Sequence, residues 1–173
     1  MNRKQSNTLL CQKPSFCDEF PIACSFERKS YPAGATVNND DTNTNYLIFC
    51  QSGHARITST LFHDEILCAG EVMFIPRGSE CSGTALSDVT LLVHKFNNTV
   101  CQAEKCILSY LYSRRLPDSK VYCCKLTAPT SMRVFMDTVA TYITDETHDS
   151  DLWKLKHKEL IWVFTRYYMA KEL

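Results

Sequence analysis

The sequence predicts a mainly β chain with some α: a small rolled antiparallel sheet followed by about three helices. Between Tyr46 and Phe96, short apolar runs alternate with turn residues at intervals of roughly eight to twelve positions, the spacing of successive strands. Beyond Phe96 the apolar spacing shifts to the 3.6-residue period of helices. At 173 residues the chain is long enough for one domain with a full core, or for a barrel with a helical appendage.

Residues 1–20 are polar and weakly patterned, and their one apolar patch, Leu9-Leu10-Cys11, is too short for a secretory leader. Residues 22–28 alternate as a first strand, and 30–34 turn the chain through Pro32 and Gly34. The stretch 38–45, NNDDTNTN, reads as a polar loop; the spacing of Asp40 and Asp41 fits no calcium loop. Strand 46–50 then meets Gln51-Ser52-Gly53, and 54–60 returns from it. A second pair, 65–68 and 71–75, is joined by Ala69-Gly70. Residues 76–79 turn into a strand near 81–84, and 89–96 closes the set as a continuous apolar strand.

The helical part begins with 100–116, where Ile107, Leu108 and Leu111 precede Arg114-Arg115, the charge a helix C-terminus favours; Pro117 stops it. Residues 121–126 read as a short strand. Pro129 opens an amphipathic helix with Met132, Phe135, Met136, Val139 and Ile143 on one face. After a polar link over 144–150, residues 151–173 read as one long helix, about 34 Å if unbroken. Trp153, His157, Leu160, Ile161, Phe164 and Tyr168 form one stripe, and Leu152, Leu155, Trp162, Val163 and Tyr167 add apolar surface beyond it. A helix apolar on more than one side implies a second partner, either another copy of the chain or a following domain, and this stripe is expected to pair two copies. The uncapped end at Leu173 reads as a chain that continues. The division is therefore 1–20 lead-in, 21–98 barrel and 99–173 helical dimerisation and linker segment with one short returning strand.

Lys+Arg and Asp+Glu are both 19, and a net charge of zero argues against this chain alone gripping a phosphate backbone. No run approaches the roughly 18 apolar residues of a membrane-spanning helix. Ten cysteines without a leader, and without a C-x-x-C pair, suit reduced thiols in a cytoplasm that act as small buried hydrophobes.

Gly70, Pro76, Gly78 and Cys81 match the spacing G-x5-P-x-G-x2-H of the second cupin motif, with Cys81 in the histidine's place, and Gly53 resembles the glycine that ends the first motif. The resemblance implies a jelly-roll barrel. Enzymatic cupins hold a divalent metal on two histidines, a glutamate and a further histidine. Here Tyr46 stands at the glutamate position, Asp40 and Thr42 (or Asn39 and Asp41) at the two histidines, and Cys81 at the last. One thiol and one phenol do not make an N/O metal site, so no metal, cofactor or catalytic residue is expected. The alternative, a metal-dependent isomerase or dioxygenase, is disfavoured on that ground.

A cupin-like barrel followed by helices resembles the N-terminal regulatory half of bacterial AraC-type transcription regulators. The segment 155–173 is similar to the K-x-x-E-L…YY…EL stretch that precedes the DNA-binding half in Bacteroidetes-like members. The likeness covers about 20–173 and implies a sensor and dimerisation module, with DNA reached only through a C-terminal helix-turn-helix domain not present in this chain. A small-molecule effector would sit in the barrel. Tyr46, Ile48 and Cys81 are expected to point inward, with Cys50 and Gly83 beside them by period-2 alternation. Tyr46 would offer its hydroxyl, Arg56 a bidentate clamp, and His94 a donor or acceptor. The competing readings are core packing for Tyr46, a solvated face for Arg56 and a satisfied wall position for His94.

Overall fold

Residues 89–96 carry large apolar side chains at both parities, Val89, Leu91 and Val93 on one and Leu92 and Phe96 on the other, so both faces must be covered. The computed structural model describes residues 24–60, 62–75, 78–96, 125–147, 149–164 and 166, with the side chains of Phe62, His63 and Phe164 left out. Among these described residues nine strands are formed: β1 (Cys24–Tyr31), β2 (Thr36–Asn38), β3 (Asn45–Ser52), β4 (His54–Ser59), β5 (Phe62–Cys68), β6 (Glu71–Ile75), β7 (Cys81–Ala85), β8 (Val89–Phe96) and β9 (Lys125–Thr127). They form two antiparallel sheets, ordered β1-β8-β3-β6-β9 and β2-β7-β4-β5. Without β9, the orders 1-8-3-6 and 2-7-4-5 are those of an eight-stranded jelly roll, two Greek keys rolled together.

This order corrects the expected pairing of neighbours. β3 hydrogen-bonds to β6 and β8 rather than to β4, and only β4 and β5 pair as consecutive strands. At Gln51-Ser52-Gly53 the chain crosses from one sheet to the other, and at Ala69-Gly70 it crosses back. Gly53 (φ 75°) and Gly70 (φ 84°) provide the left-handed conformation these corners need. The polar stretch 38–45 holds an unanticipated strand end: β2 runs to Asn38 and pairs Val37 with Gly83.

Alternation divides the larger sheet into two faces. Tyr46, Cys50, Met73, Ile75, Leu91 and Val93 join Ala55, Ile57, Leu67 and Ala85 of the smaller sheet in one buried cluster, the barrel interior. Leu47, Phe49, Val72, Phe74, Leu92 and Phe96 point the other way, into a second cluster shared with the helices.

α1 (Thr130–Thr144) and α2 (Ser150–Phe164) supply that second layer. Pro129, φ −68°, precedes α1, and Met132, Phe135, Met136 and Val139 are buried on its inner face. The Asp149 carboxylate caps α2, accepting from the backbone N–H of Asp151 at 2.8 Å and of Leu152 at 3.4 Å. Two helices, not about three, stand among the described residues. The helix expected over 100–116 lies outside them, as does the last helix beyond residue 166.

The stripe assigned to a dimer is used within the chain instead. Trp153, His157, Leu160 and Ile161 are all buried against the sheet. The side chain of Phe164 and all of Tyr168 lie outside the described residues. The helix has to cover the sheet's outer face before it can meet anything else. The large apolar side chains it leaves to solvent are Leu155 and Trp162, 60% and 56% exposed.

The corner glycines give a direct test. A Cβ on Gly53 would fall 2.0 Å from the Asp88 carbonyl oxygen, whereas one on Gly34, φ 86°, meets nothing within 4 Å. Gly34→Ala should cost only the left-handed strain, about 1 kcal/mol, and Gly53→Ala at least about 3 kcal/mol, since a backbone clash adds to that strain. Thermal denaturation of both variants checks the order; equal losses would contradict this corner geometry.

Candidate functional site

The positions singled out by the sequence sit on a sheet used on both sides, and the structure separates them. Tyr46, Ile48 and Cys81 belong to the interior cluster, together with Cys50. Arg56 does not. It lies between the inward Ala55 and Ile57 on β4, so its side chain is exposed on the outer face. His94 does not either. It shares parity with Leu92 and Phe96 and is cross-strand from Leu47, so it faces the helices. An effector in the barrel would therefore meet neither Arg56 nor His94.

Tyr46 is held at the edge of the interior by a polar network that sequence reasoning missed. Its hydroxyl donates to Asp40 Oδ1 at 2.5 Å and accepts from the Asp41 backbone N–H at 3.0 Å. Lys95, directly across from Tyr46 on β8, binds Asp40 Oδ2 at 2.8 Å and Glu27 at 3.2 Å. The Lys95 ammonium, and then the Tyr46 hydroxyl, hold the Asp40 carboxyl well below the usual carboxylate range. Burial, then the hydrogen bond to Asp40, push the Tyr46 phenol up, so it stays neutral. Burial opposes the charge on Lys95, yet its bonds to Asp40 and Glu27 raise its pKa. Parity across the β3–β8 pair was the signal that would have found Lys95. The partnership with Asp40 depends on loop closure and has no periodic trace.

On the opposite side of the loop, Asn39 performs the stitching. Its amide donates to the Ser79 carbonyl and its Oδ1 accepts from the Cys81 N–H, both at 3.0 Å. These bonds bring Cys81 to the wall of a cleft of about 570 Å³, lined also by Asn38, Thr42, Thr60, Glu80 and Ser82. A second cleft, about 440 Å³, opens at Asp40, Thr44, Lys95 and Phe96. Burial pushes the Cys81 thiol up to about 11, and burial does the same to Cys50. Among the described residues no group of three or more His, Cys, Asp or Glu side chains is placed to hold a metal ion. Cys50, Cys68 and Cys81 are free thiols. No described helix is long and apolar enough to cross a membrane.

No family model matches the chain, and no curated protein matches it. Solved structures do resemble part of it. A conserved protein of unknown function from Streptococcus pyogenes is 15% identical over 44% of this chain and 67% of its own, with a TM-score of 0.41. A cupin-2 domain protein from Shewanella frigidimarina is 20% identical over 41% of this chain and 68% of its own, TM-score 0.36. A predicted oxalate decarboxylase from Thermotoga maritima is 18% identical over 42% and 65%, TM-score 0.39. The order of the eight strands carries the jelly roll independently of them.

The thiols yield a prediction. With a pKa of about 11, only about one Cys81 side chain in a thousand is thiolate at pH 8. Iodoacetamide at pH 7.5 should therefore label the exposed Cys68 at least about tenfold faster than Cys81, and leave the buried Cys50 unmodified. Labelling of Cys81 should accelerate as the pH rises towards 11. Peptide mapping by mass spectrometry reads both; Cys81 reacting as fast as Cys68 at neutral pH would show an activated thiol.

Proposed function

We propose that this chain is the sensor and dimerisation part of a bacterial AraC-type transcription regulator, working in the cytoplasm without catalysing a reaction. The barrel would take a small polar effector in the cleft beside Cys81. The helices would pair two copies, and DNA would be reached through a C-terminal helix-turn-helix domain. Against catalysis stands the chemistry of the interior. Its polar groups at the cupin ligand positions are a neutral phenol tied to Asp40 and a protonated thiol, which supply neither a metal cage nor a nucleophile at pH 7.

One observation carries the reading: α2 is buried on one face against the barrel and keeps Leu155 and Trp162 exposed on the other. They are seven residues apart, on one face of the helix. Pairing with a second copy in antiparallel fashion, about a two-fold axis between Lys158 and Glu159, sets Leu155 against the partner's Trp162. The same register sets Asp151 against the partner's Arg166, and Lys158 against the partner's Glu159. Apolar residues thus oppose apolar ones, and each charge opposes its complement.

Sedimentation should show a dimer at tens of micromolar, and Trp162→Glu should weaken it at least about thirtyfold, the loss of a central aromatic contact. Asp151→Arg and Arg166→Asp should each weaken it, while the two together should restore it. A monomer, or no restoration, contradicts this pairing. For the effector, thermal-shift screening of small polar metabolites should give a stabilising compound. Ser82→Tyr, which fills the cleft, should abolish its effect, and Arg56→Ala should not. A stoichiometric divalent ion in the purified protein, or turnover of a small molecule, would favour an enzyme instead.

A further inference from the structure

The cleft beside Cys81 is tied on two sides to one short segment, and its chemistry is one-sided. On one wall, the Asn39 amide bonds to Ser79 and Cys81, and the Asn39 backbone N–H donates to the Cys81 carbonyl at 3.0 Å. On the other, the Thr60 N–H donates to the Glu80 carbonyl at 3.2 Å, which fixes the turn after β4 to the same segment. Both walls are thus held before anything binds, which lowers the cost of binding. In register, Ser82 on β7 stands between Asn38 on β2 and Thr58 on β4. All three line the cleft as one row across the outer face of the smaller sheet, with adjacent strands about 4.8 Å apart. Glu80, two residues before Ser82 and of the same parity, lines it as well.

Two of these groups can only accept. The Thr58 hydroxyl spends its hydrogen on Asp64 Oδ1 at 2.9 Å, so its oxygen meets a ligand with lone pairs alone. The ionised Glu80 carboxylate has no donor at all. Thr58 and Glu80 are diagonal neighbours across the β4–β7 pair, with Cα atoms about 7–8 Å apart, close enough for one group to meet both. Among the described residues that line the cleft, none carries a positive charge. Burial keeps the Cys81 thiol protonated. Arg56, on the same face two residues before Thr58, lies outside the lining, and Asp64 behind Thr58 adds a second negative charge.

We propose that this cleft selects a small primary amine carrying a second polar end, its ammonium donated to Glu80 and the Thr58 oxygen and its other end met by Ser82 and Asn38. An ammonium brings three donors and no acceptor, the complement of the two acceptor-only groups. A carboxylate or phosphate brings acceptors and negative charge, and would face Glu80 and Asp64 with no cation in the lining to pair with. The inference rests on the effector reading above and narrows it from polar molecules to cationic ones. At about 570 Å³ the cleft has the size of a small-molecule site.

Four compounds built on one four-carbon chain separate charge from size: 1,4-diaminobutane, 4-amino-1-butanol, 1,4-butanediol and succinate. At pH 7 the amines are protonated, because an alkylammonium titrates near about 10.4. In 1H–15N titrations of the full 173-residue chain at low salt, both amines should shift the backbone amides of Thr60 and Ser82. They should bind at least about tenfold more tightly than butanediol, the difference a charge-assisted hydrogen bond makes. Succinate should leave those amides in place. Glu80→Gln keeps the shape of an exposed side chain and removes its charge, so it should bring the amines down to the level of butanediol. Arg56→Ala should leave the order unchanged. Salt at about 0.5 M should weaken the amines and spare the diol. Amines and diol binding alike, amine affinity unchanged in Glu80→Gln, shifts confined to residues away from the cleft, or no binding by either amine would each overturn the inference. Succinate binding that Ser82→Tyr removes would overturn it too, yet would leave a small effector in this cleft standing. Pairing of the helices is untouched by any of these results.

Discussion

The structure depends on a sheet that is buried on both sides. In β3, β6 and β8, one set of alternate residues fills the barrel and the other carries the helices. Leu47, Phe49, Val72, Phe74, Leu92 and Phe96 belong to the second set, all at most 4% exposed. At about 1.5–3 kcal/mol for each such side chain, the helix layer covers apolar surface worth on the order of 10 kcal/mol, comparable with the whole stability of a typical domain. The helices are therefore a wall of the fold rather than an appendage to a barrel. Register is fixed with the same severity, since a slip of one residue would exchange the two cores.

That constraint explains where polar groups are tolerated. Inside the barrel Tyr46 survives because its ring packs inward while its hydroxyl reaches Asp40 and Asp41 at the edge. In the helix layer His94 survives because both nitrogens are used, one on Ser25 and one on His157. Each is satisfied by a group from a different element, Tyr46 by a loop and His94 by a helix. Polar side chains in such a sheet act as joints between layers, because only another layer can meet their hydrogen-bonding needs.

Much of this was legible in the sequence, because period and turn chemistry are local. Strands β1 and β3 to β8, turns at Gly53 and Gly70 and the helix after Pro129 follow from spacing, and the inward set of Tyr46, Ile48 and Cys81 follows from the resemblance to the cupin ligand positions. What was not legible is what spacing cannot encode. A strand apolar on both faces, such as β8, does not announce which parity meets the barrel, and His94 was placed on the wrong side for that reason. The pairing of β3 with β6 and β8 joins segments far apart in the chain, while the turn at Gly53 looks the same in a hairpin and in a crossing between sheets. The α2 stripe was read correctly as buried but assigned to another molecule. Helical period says that a face is covered and not by what.

Backbone and chemistry have come apart at the candidate site. Gly53, Gly70 and Gly78 all hold positive φ, so the turns of the rolled sheet need them whatever the interior contains. Side chains at the inner positions are under no such demand. Tyr46 and Cys81 fill space in a cluster with Met73 and Ile75, and their protons stay on at neutral pH because burial disfavours the anions. The same burial holds His94 neutral in the other core. One physical cause, desolvation between tightly packed layers, thus quiets the groups that would do chemistry in the barrel. In the second core the same desolvation keeps the histidine neutral, and there it joins layers instead, through its bonds to Ser25 and His157.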